Sequence, residues 1–151
     1  MDTKQKVKEI VENHTLMCMA TVDGNGLPKA RSVNFAVGND ESVLYFITYK
    51  TTNKVNELKK NNNVYIVINN EGKTMQELAN LKYLKASGKA YLCDTPEEAQ
   101  KAFGLIMQRF PHLKDLPGDP SDFLAFKVEL DKVTVTDNTV HFGFMEEVSY
   151  R

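Results

Sequence analysis

Lys29-Ala-Arg-Ser-Val-Asn-Phe35 and Tyr45-Phe-Ile-Thr-Tyr-Lys-Thr-Thr-Asn-Lys-Val55 are the two stretches that decide the fold of this chain and its candidate site. The first predicts a strand with one outward cation, Arg31. The second predicts a strand that runs directly into a helix, and the polar side chains at that junction are Thr48, Thr51, Thr52 and Lys54. A helix N-terminus has unpaired N–H groups and a partial positive charge. Hydroxyls and cations at the same point therefore predict a phosphate-bearing ligand.

Length and composition are those of an ordinary globular protein, with 151 residues, 42% of them hydrophobic and 26% charged. We expect one domain covering residues 1–151. A formal net charge of −1 gives no general electrostatic case for nucleic acid or for an anionic membrane. No apolar run approaches the roughly 20 residues that span a bilayer, and the charged start MDTKQKVKEIVENH lacks the apolar centre of a secretion signal. A cytoplasmic protein is expected.

The spacing of the metal-ligating residue types predicts no metal site. Cys18 and Cys93 form no CxxC or CxxH pattern, and we interpret both as small buried residues inside strands. The three histidines, His14, His112 and His141, have no metal-ligand spacing and are interpreted as surface or capping residues. No nucleophile elbow, HExxH or phosphate-binding glycine loop occurs, so hydrolase and nucleoside triphosphatase activities have no support.

Hydrophobic periodicity predicts a mainly β protein with a few flanking helices. Three strands, at Leu16–Val22, 30–37 and Val43–Tyr49, follow a helix over Thr3–Asn13, and their short connections require antiparallel pairing. Further strands are predicted over 64–68, 81–92, 123–130, 133–136 and 140–144, with Gly88 as a bulge and 72–80 ambiguous. Helices are predicted over 52–60 and 95–110, the second burying Ala99, Ala102, Phe103, Ile106 and Met107. This pattern favours a closed or partly closed β-barrel over a Rossmann-type sheet.

Three motifs in order, MATVDGNGLPKARSVNF, LYFITYKTTNKVNEL and ASGKAYLCD, resemble the pyridoxamine 5′-phosphate oxidase-like family of FMN-binding split barrels. The resemblance covers about residues 16–136: an Ala-Thr-Val-Asp turn, Gly-x-Pro, an arginine-bearing strand, an aromatic strand ending in threonine, a Thr-x-Lys helix opening and a Gly-Lys-Ala strand. It implies an antiparallel, Greek-key-like split barrel. It also implies a homodimer with FMN at the interface.

The resemblance also implies a role for each residue of the site. Arg31 would contact the FMN phosphate, and Thr48 would bind phosphate or ribityl oxygens. Thr52 and Lys54 would complete the phosphate cradle, together with Asn53, which stands where many relatives carry arginine or serine. The segment of Ser32, Val33 and Asn34 would lie along the isoalloxazine, mainly through backbone groups.

The function implied by the resemblance is flavin-dependent oxidoreduction of a small molecule. The chain ends at Arg151, without the longer C-terminal segment of true pyridoxamine phosphate oxidases, so it resembles more the short general-stress or nitroimidazole-resistance branch. No side chain is distinguished as a catalytic acid or base. Two alternatives stay open: a non-catalytic protein that binds or stores flavin, deazaflavin or haem, and an apo scaffold for protein contacts. Haem is one of these alternative ligands because some split-barrel relatives bind it through a single histidine.

Overall fold

A computed structural model describes all residues, 1–151, as one β-sheet with helices on its outside. The strands are β1 (Leu16–Val22), β2 (Pro28–Asn34), β3 (Ala36–Val37), β4 (Val43–Tyr49), β5 (Asn63–Ile68), β6 (Lys82–Leu92), β7 (Phe123–Asp137) and β8 (Met145–Ser149). The α-helices are α1 (Thr3–Asn13), α2 (Asn53–Lys60), α3 (Met75–Ala79) and α4 (Pro96–Arg109). Two short 3₁₀ turns occur at Pro111–Asp115 and Pro120–Asp122.

Every strand pairing is antiparallel, in the order β2-β1-β5-β6-β7-β4-β3, with β8 alongside the second half of β7. The two edge strands of this order, β2 and β3, are separated in the chain by Phe35 alone. The single segment 28–37 therefore lies at both edges of the sheet and curls it into a barrel, which removes most of its open edge. The predicted mainly β split barrel with flanking helices is confirmed.

The barrel interior is the main hydrophobic core, in which 22 buried residues form one cluster. Phe35 lies at its centre, and the rings of Phe46 and Phe126 stack at 5.2 Å between centroids. Helix α1 begins with a capping box at Asp2 and adds Val7, Ile10 and Val11 to this core. The predicted bounds of α1, β1 and β4 are confirmed.

Local sequence signals also predict several finer features correctly. Gly88 marks a bulge between β6 and β7, since the register shifts there and a Cβ atom would lie 2.7 Å from the carbonyl oxygen of Glu129. Thr95 caps α4 through its hydroxyl. In the ambiguous segment 72–80, Thr74 and Glu77 form a capping box, and α3 results.

Four predictions about strands and burial are wrong. Strand 30–37 is interrupted at Phe35, and 123–137 is one continuous strand rather than two. Residues 140–144 form a turn, because the carboxylate of Asp137 binds the N–H and hydroxyl of Thr139 and ends β7. Cys18 is exposed, since it shares the outward side of β1 with Leu16, whereas Cys93 is buried as predicted.

The predicted inner face of α4 is only partly buried. Ala102 and Ile106 are buried as expected, but Ala99, Phe103 and Met107 keep some exposure. None of the helices combines the length and apolar character that a membrane span requires.

Candidate functional site

The junction of β4 and α2 gathers two threonine hydroxyls around one lysine. The ammonium of Lys54 donates to Thr48 Oγ1 at 2.7 Å, and Thr52 Oγ1 lies 3.4 Å from Lys54 Nζ and 3.1 Å from Thr48 Oγ1. Thr52 occupies the N-cap position of α2 but its side chain caps no backbone group. The N–H groups of Asn53 and Lys54 therefore remain available to a ligand, whereas that of Val55 donates to the carbonyl oxygen of Thr52 at 3.2 Å. We call the group of Thr48, Thr52 and Lys54 the phosphate cradle.

Lys54 is a half-buried cation without a carboxylate partner. No acidic oxygen lies within 4.0 Å of its ammonium, in contrast to the eight ion pairs found elsewhere in the chain. Burial lowers the pKa of Lys54, the positive charge of Arg31 lowers it further, and Glu57 partly offsets both effects. A partly desolvated positive charge with hydroxyl donors beside it favours an anionic ligand.

Arg31 lies beside the phosphate cradle but is held by other groups. Its guanidinium donates to Glu57 Oε1 at 2.7 Å, to Thr21 Oγ1 at 2.7 Å and to the carbonyl oxygen of Met19 at 3.2 Å. Glu57 Oε1 also accepts from Thr21 Oγ1 at 2.8 Å. The predicted outward cation is thus a partner in a part-buried ion pair. Glu57 was missed in the sequence because it reads as an ordinary polar position of α2, although it lies one turn after Lys54.

A cavity of about 270 Å³ brings together six of the eight predicted site residues. The cradle residues line one end, and Ser32, Val33 and Asn34 of β2 line a wall. Arg31 and Asn53 are not among the lining residues, and Asn53 is exposed on the first turn of α2. The rest of the lining is aliphatic or aromatic and comes from Ile47, Tyr49, Ile106, Leu113, Leu116 and Phe123. Lys54 is the one charged residue in the lining.

This donor set fits a phosphate monoester attached to a largely apolar group. A cation, two hydroxyls and a helix N-terminus converge at one end, and apolar side chains continue from there. None of the three histidines lines the cavity. His14 follows α1, and its Nδ1 lies 2.7 Å from the carbonyl oxygen of Ile10, in agreement with the predicted capping role. No cluster of three or more metal-ligating side chains occurs in the chain.

The antiparallel split barrel is the fold of a known class of proteins. The sequence pattern described as Pyridoxamine 5′-phosphate oxidase matches residues 3–137, and the chain belongs to this family. The resemblance stated from the three motifs is thereby confirmed.

The chain is also similar to three individual proteins. General stress protein 26 of Bacillus subtilis is 29% identical over 116 residues, which are 77% of this chain and 78% of the relative. A heme binding protein from Mycobacterium smegmatis superposes with a TM-score of 0.81 at 17% identity, covering 99% of this chain and 58% of that one. A candidate pyridoxamine 5′-phosphate oxidase from Listeria innocua superposes with a TM-score of 0.69 at 20% identity, covering 89% of this chain and 98% of that one. The two structural likenesses establish the fold alone, and the chain spans little more than half of the mycobacterial protein.

Proposed function

We propose that this protein binds FMN with the phosphate in the cradle and acts as a flavin-dependent oxidoreductase on a small molecule. One observation carries the proposal: Lys54 is half-buried next to two hydroxyls and has no carboxylate to neutralise it. Such a cation is costly in the free protein and becomes favourable when an anion binds. Membership of the family supports FMN as that anion.

Each residue has a defined part in this proposal. Lys54 supplies charge to the phosphate, and the hydroxyls of Thr48 and Thr52 supply hydrogen bonds. Arg31 supplies its remaining N–H groups from the side, and the backbone of residues 32–34 runs along the isoalloxazine. The flavin, when bound, supplies the electron chemistry, while the chain binds and orients it.

The proposal includes a homodimer with the flavin at its interface. The outward face of β1, β2 and β5 supports it, because it exposes Leu16 and Tyr65, which are 49% and 44% accessible, beside small residues. Apolar and small side chains exposed together on one sheet face are the kind of surface that a subunit contact buries. Sedimentation velocity would give a dimer mass, and a monomer at micromolar concentration would contradict this part.

The first experiment is an absorbance spectrum of the purified protein before and after addition of excess FMN and desalting. Retained bands near ~370 and ~450 nm, the approximate values of free flavin, support the proposal. Catalysis then requires that a substrate reoxidises or reduces the bound flavin faster than air or buffer alone. A protein that retains no flavin after desalting contradicts the cofactor assignment.

The second candidate function is binding or storage of haem or deazaflavin without turnover. It is favoured by the structural similarity to a haem-binding protein and by Asn53, which is exposed beside Lys54 and adds no charge to the phosphate cradle. The same spectrum separates it from the first: a Soret band after incubation with haemin and desalting, with no retained flavin, would select haem.

A further inference from the structure

A second cavity, of about 360 Å³, adjoins the cradle cavity. The two share Ile47, Leu113, Leu116 and Phe123, so these four side chains form the boundary between them. The second cavity extends between α4 and the loop 111–120, and we call it the apolar chamber. Phe103 and Met107 of α4 line it, which explains why these two predicted core residues keep partial exposure.

The walls of the apolar chamber are held in place by contacts that do not need a ligand. The Tyr49 hydroxyl donates to the carbonyl oxygen of Pro117 at 2.9 Å, and the Tyr49 and Phe123 rings pack at 4.4 Å between centroids. Gly118 has a φ of +102°, and a Cβ atom there would lie 2.5 Å from a carboxylate oxygen of Asp122. The loop therefore requires glycine at this turn. The chamber is preformed, as small-molecule sites usually are.

Charge distinguishes the apolar chamber from the cradle cavity. Its two charged residues, Lys114 and Asp119, are both exposed. The Asp119 carboxylate accepts from the N–H of Ser121 at 2.8 Å and from the Ser121 hydroxyl, so it is already occupied. The remaining lining is dominated by aliphatic, aromatic and thioether groups. Lys114 takes part in no ion pair, but its exposure places its charge in water rather than in the apolar lining. An ion buried against the apolar lining would therefore lose its hydration without gaining a buried partner.

We propose that the apolar chamber binds a neutral, ring-bearing apolar molecule next to the ligand of the phosphate cradle. Such a molecule covers Phe103 and Met107 and removes their apolar surface from water, which is the main driving force available at this place. The cavity volume is that of a small-molecule pocket rather than of a peptide groove. Only the further step, that this molecule is the substrate, rests on the proposed function.

The test compares naphthol, which is neutral at pH 7, with naphthalenesulfonate, which has the same ring system and one negative charge. Calorimetric titrations are run on the full chain without flavin and after loading with FMN. The variant is Met107→Glu, which places a charge on the chamber wall. Gln108→Glu adds the same negative charge at the next, solvent-exposed position of α4 and is the control for that charge. Met107→Gln replaces the first variant if that one does not fold, as judged by circular dichroism.

We expect naphthol to bind the wild type and Gln108→Glu alike, with or without FMN. Met107→Glu should weaken naphthol at least about tenfold, which corresponds to one unfavourable contact of about 1.4 kcal/mol. Lys54→Met should leave naphthol binding unchanged, because Lys54 lies outside the chamber lining.

The inference would be overturned by an absence of naphthol binding, by equal weakening in both glutamate variants, or by displacement of naphthol by FMN. Stronger binding of the sulfonate than of naphthol would overturn it as well. Failure of the proposed function is a separate result, since it appears as loss of FMN retention while naphthol still binds.

Discussion

Two lysines of this protein, the buried Lys6 and the part-buried Lys54, have opposite surroundings. Lys6 of α1 lies between two carboxylates, 2.9 Å from Asp137 and 2.8 Å from Glu146, and joins the first helix to the β7–β8 hairpin. Lys54 of α2 has only hydroxyl partners. The hydrogen bonds to Glu146 and Asp137 raise the pKa of Lys6, whereas burial lowers that of Lys54. One environment stabilises the charge and the other leaves it uncompensated.

The difference separates a structural ion pair from a binding site. A buried charge that is matched in the free protein contributes to folding, and its loss leaves its partners unpaired. A charge that is unmatched in the free protein lowers stability and is retained for a ligand, which is why shifted pKa values gather at functional sites. Substitutions of the two lysines should therefore have opposite effects on stability and on ligand binding.

The largest expected effect is on the stability of the fold, and it comes from the substitution Lys6→Met. Methionine keeps the helix propensity and much of the volume but leaves Asp137, which is 2% exposed, without its cation. We expect a loss of about 3 kcal/mol in the free energy of unfolding, measured by urea denaturation. FMN retention should not change, because Lys6 does not line the cradle cavity.

The control for this change is Lys8→Met, an exposed position of the same helix without an ion pair. It should alter stability by less than about 0.5 kcal/mol. Adding Asp137→Asn to Lys6→Met should recover part of the loss, since it removes the unpaired charge. Equal effects of Lys6→Met and Lys8→Met would contradict the role of the ion pairs.

The second largest expected effect is on FMN binding, and it comes from the substitution Lys54→Met. Loss of one charge-assisted contact to phosphate should weaken FMN by about 1.5–3 kcal/mol, or roughly ten- to a hundredfold in Kd. Stability of the flavin-free protein should stay the same or rise, because an uncompensated charge has been removed. Lys59→Met, at an exposed position near the end of α2, is the matched control. A lowered melting temperature with unchanged FMN affinity would assign Lys54 to structure instead.

The cradle was predictable because its signals are local. Thr48, Thr52 and Lys54 lie within seven residues, and a strand followed at once by a helix places them together whatever the rest of the fold does. The same holds for the Gly88 bulge and the Thr95 cap, each of which depends on one residue type at one kind of backbone position.

The remaining errors concern interactions between distant segments. No local signal interrupts the second strand at Phe35, since the break arises where the two edges of the barrel meet. The pairing of Arg31 with Glu57 joins positions 26 residues apart. The partial exposure of Met107 depends on how the loop 111–120 passes over α4. Periodicity assigns a residue to a face of its element but does not show what covers that face.

The ion pairs of Lys6 also predict that the free energy of unfolding decreases in acid. Burial would raise the pKa of Asp137, but hydrogen bonds from Thr139 and Lys6 outweigh it and lower the pKa to about 2. The folded value is below the unfolded value of about 3.9, so this contribution is present above about pH 4 and is lost as the pH falls towards 2. It amounts to about 2–3 kcal/mol.

This pH dependence is measured as the difference in unfolding free energy between the wild type and Asp137→Asn at a series of pH values. That difference should shrink between about pH 4 and pH 2 and stay constant from about pH 5 to pH 8. A difference that does not depend on pH would show that Asp137 contributes through shape and hydrogen bonding rather than through its charge.

The smallest expected effect is on FMN affinity and comes from Glu57. This carboxylate pairs with Arg31 beside the cradle, and so it is a matched charge next to the unmatched Lys54. Glu57→Gln keeps an acceptor for Thr21 and Arg31 but removes the negative charge nearest to Lys54. The electrostatic potential at the cradle becomes more positive, so FMN should bind several-fold tighter. The free energy of unfolding should fall by up to about 1 kcal/mol, because the ion pair of Arg31 with Glu57 is only part-buried. Glu71→Gln, at a fully solvated position, is the control and should do neither. Weaker FMN binding in Glu57→Gln would instead mean that the carboxylate orients Arg31 towards the phosphate, and the cradle would then depend on a matched ion pair as the Lys6 cluster does.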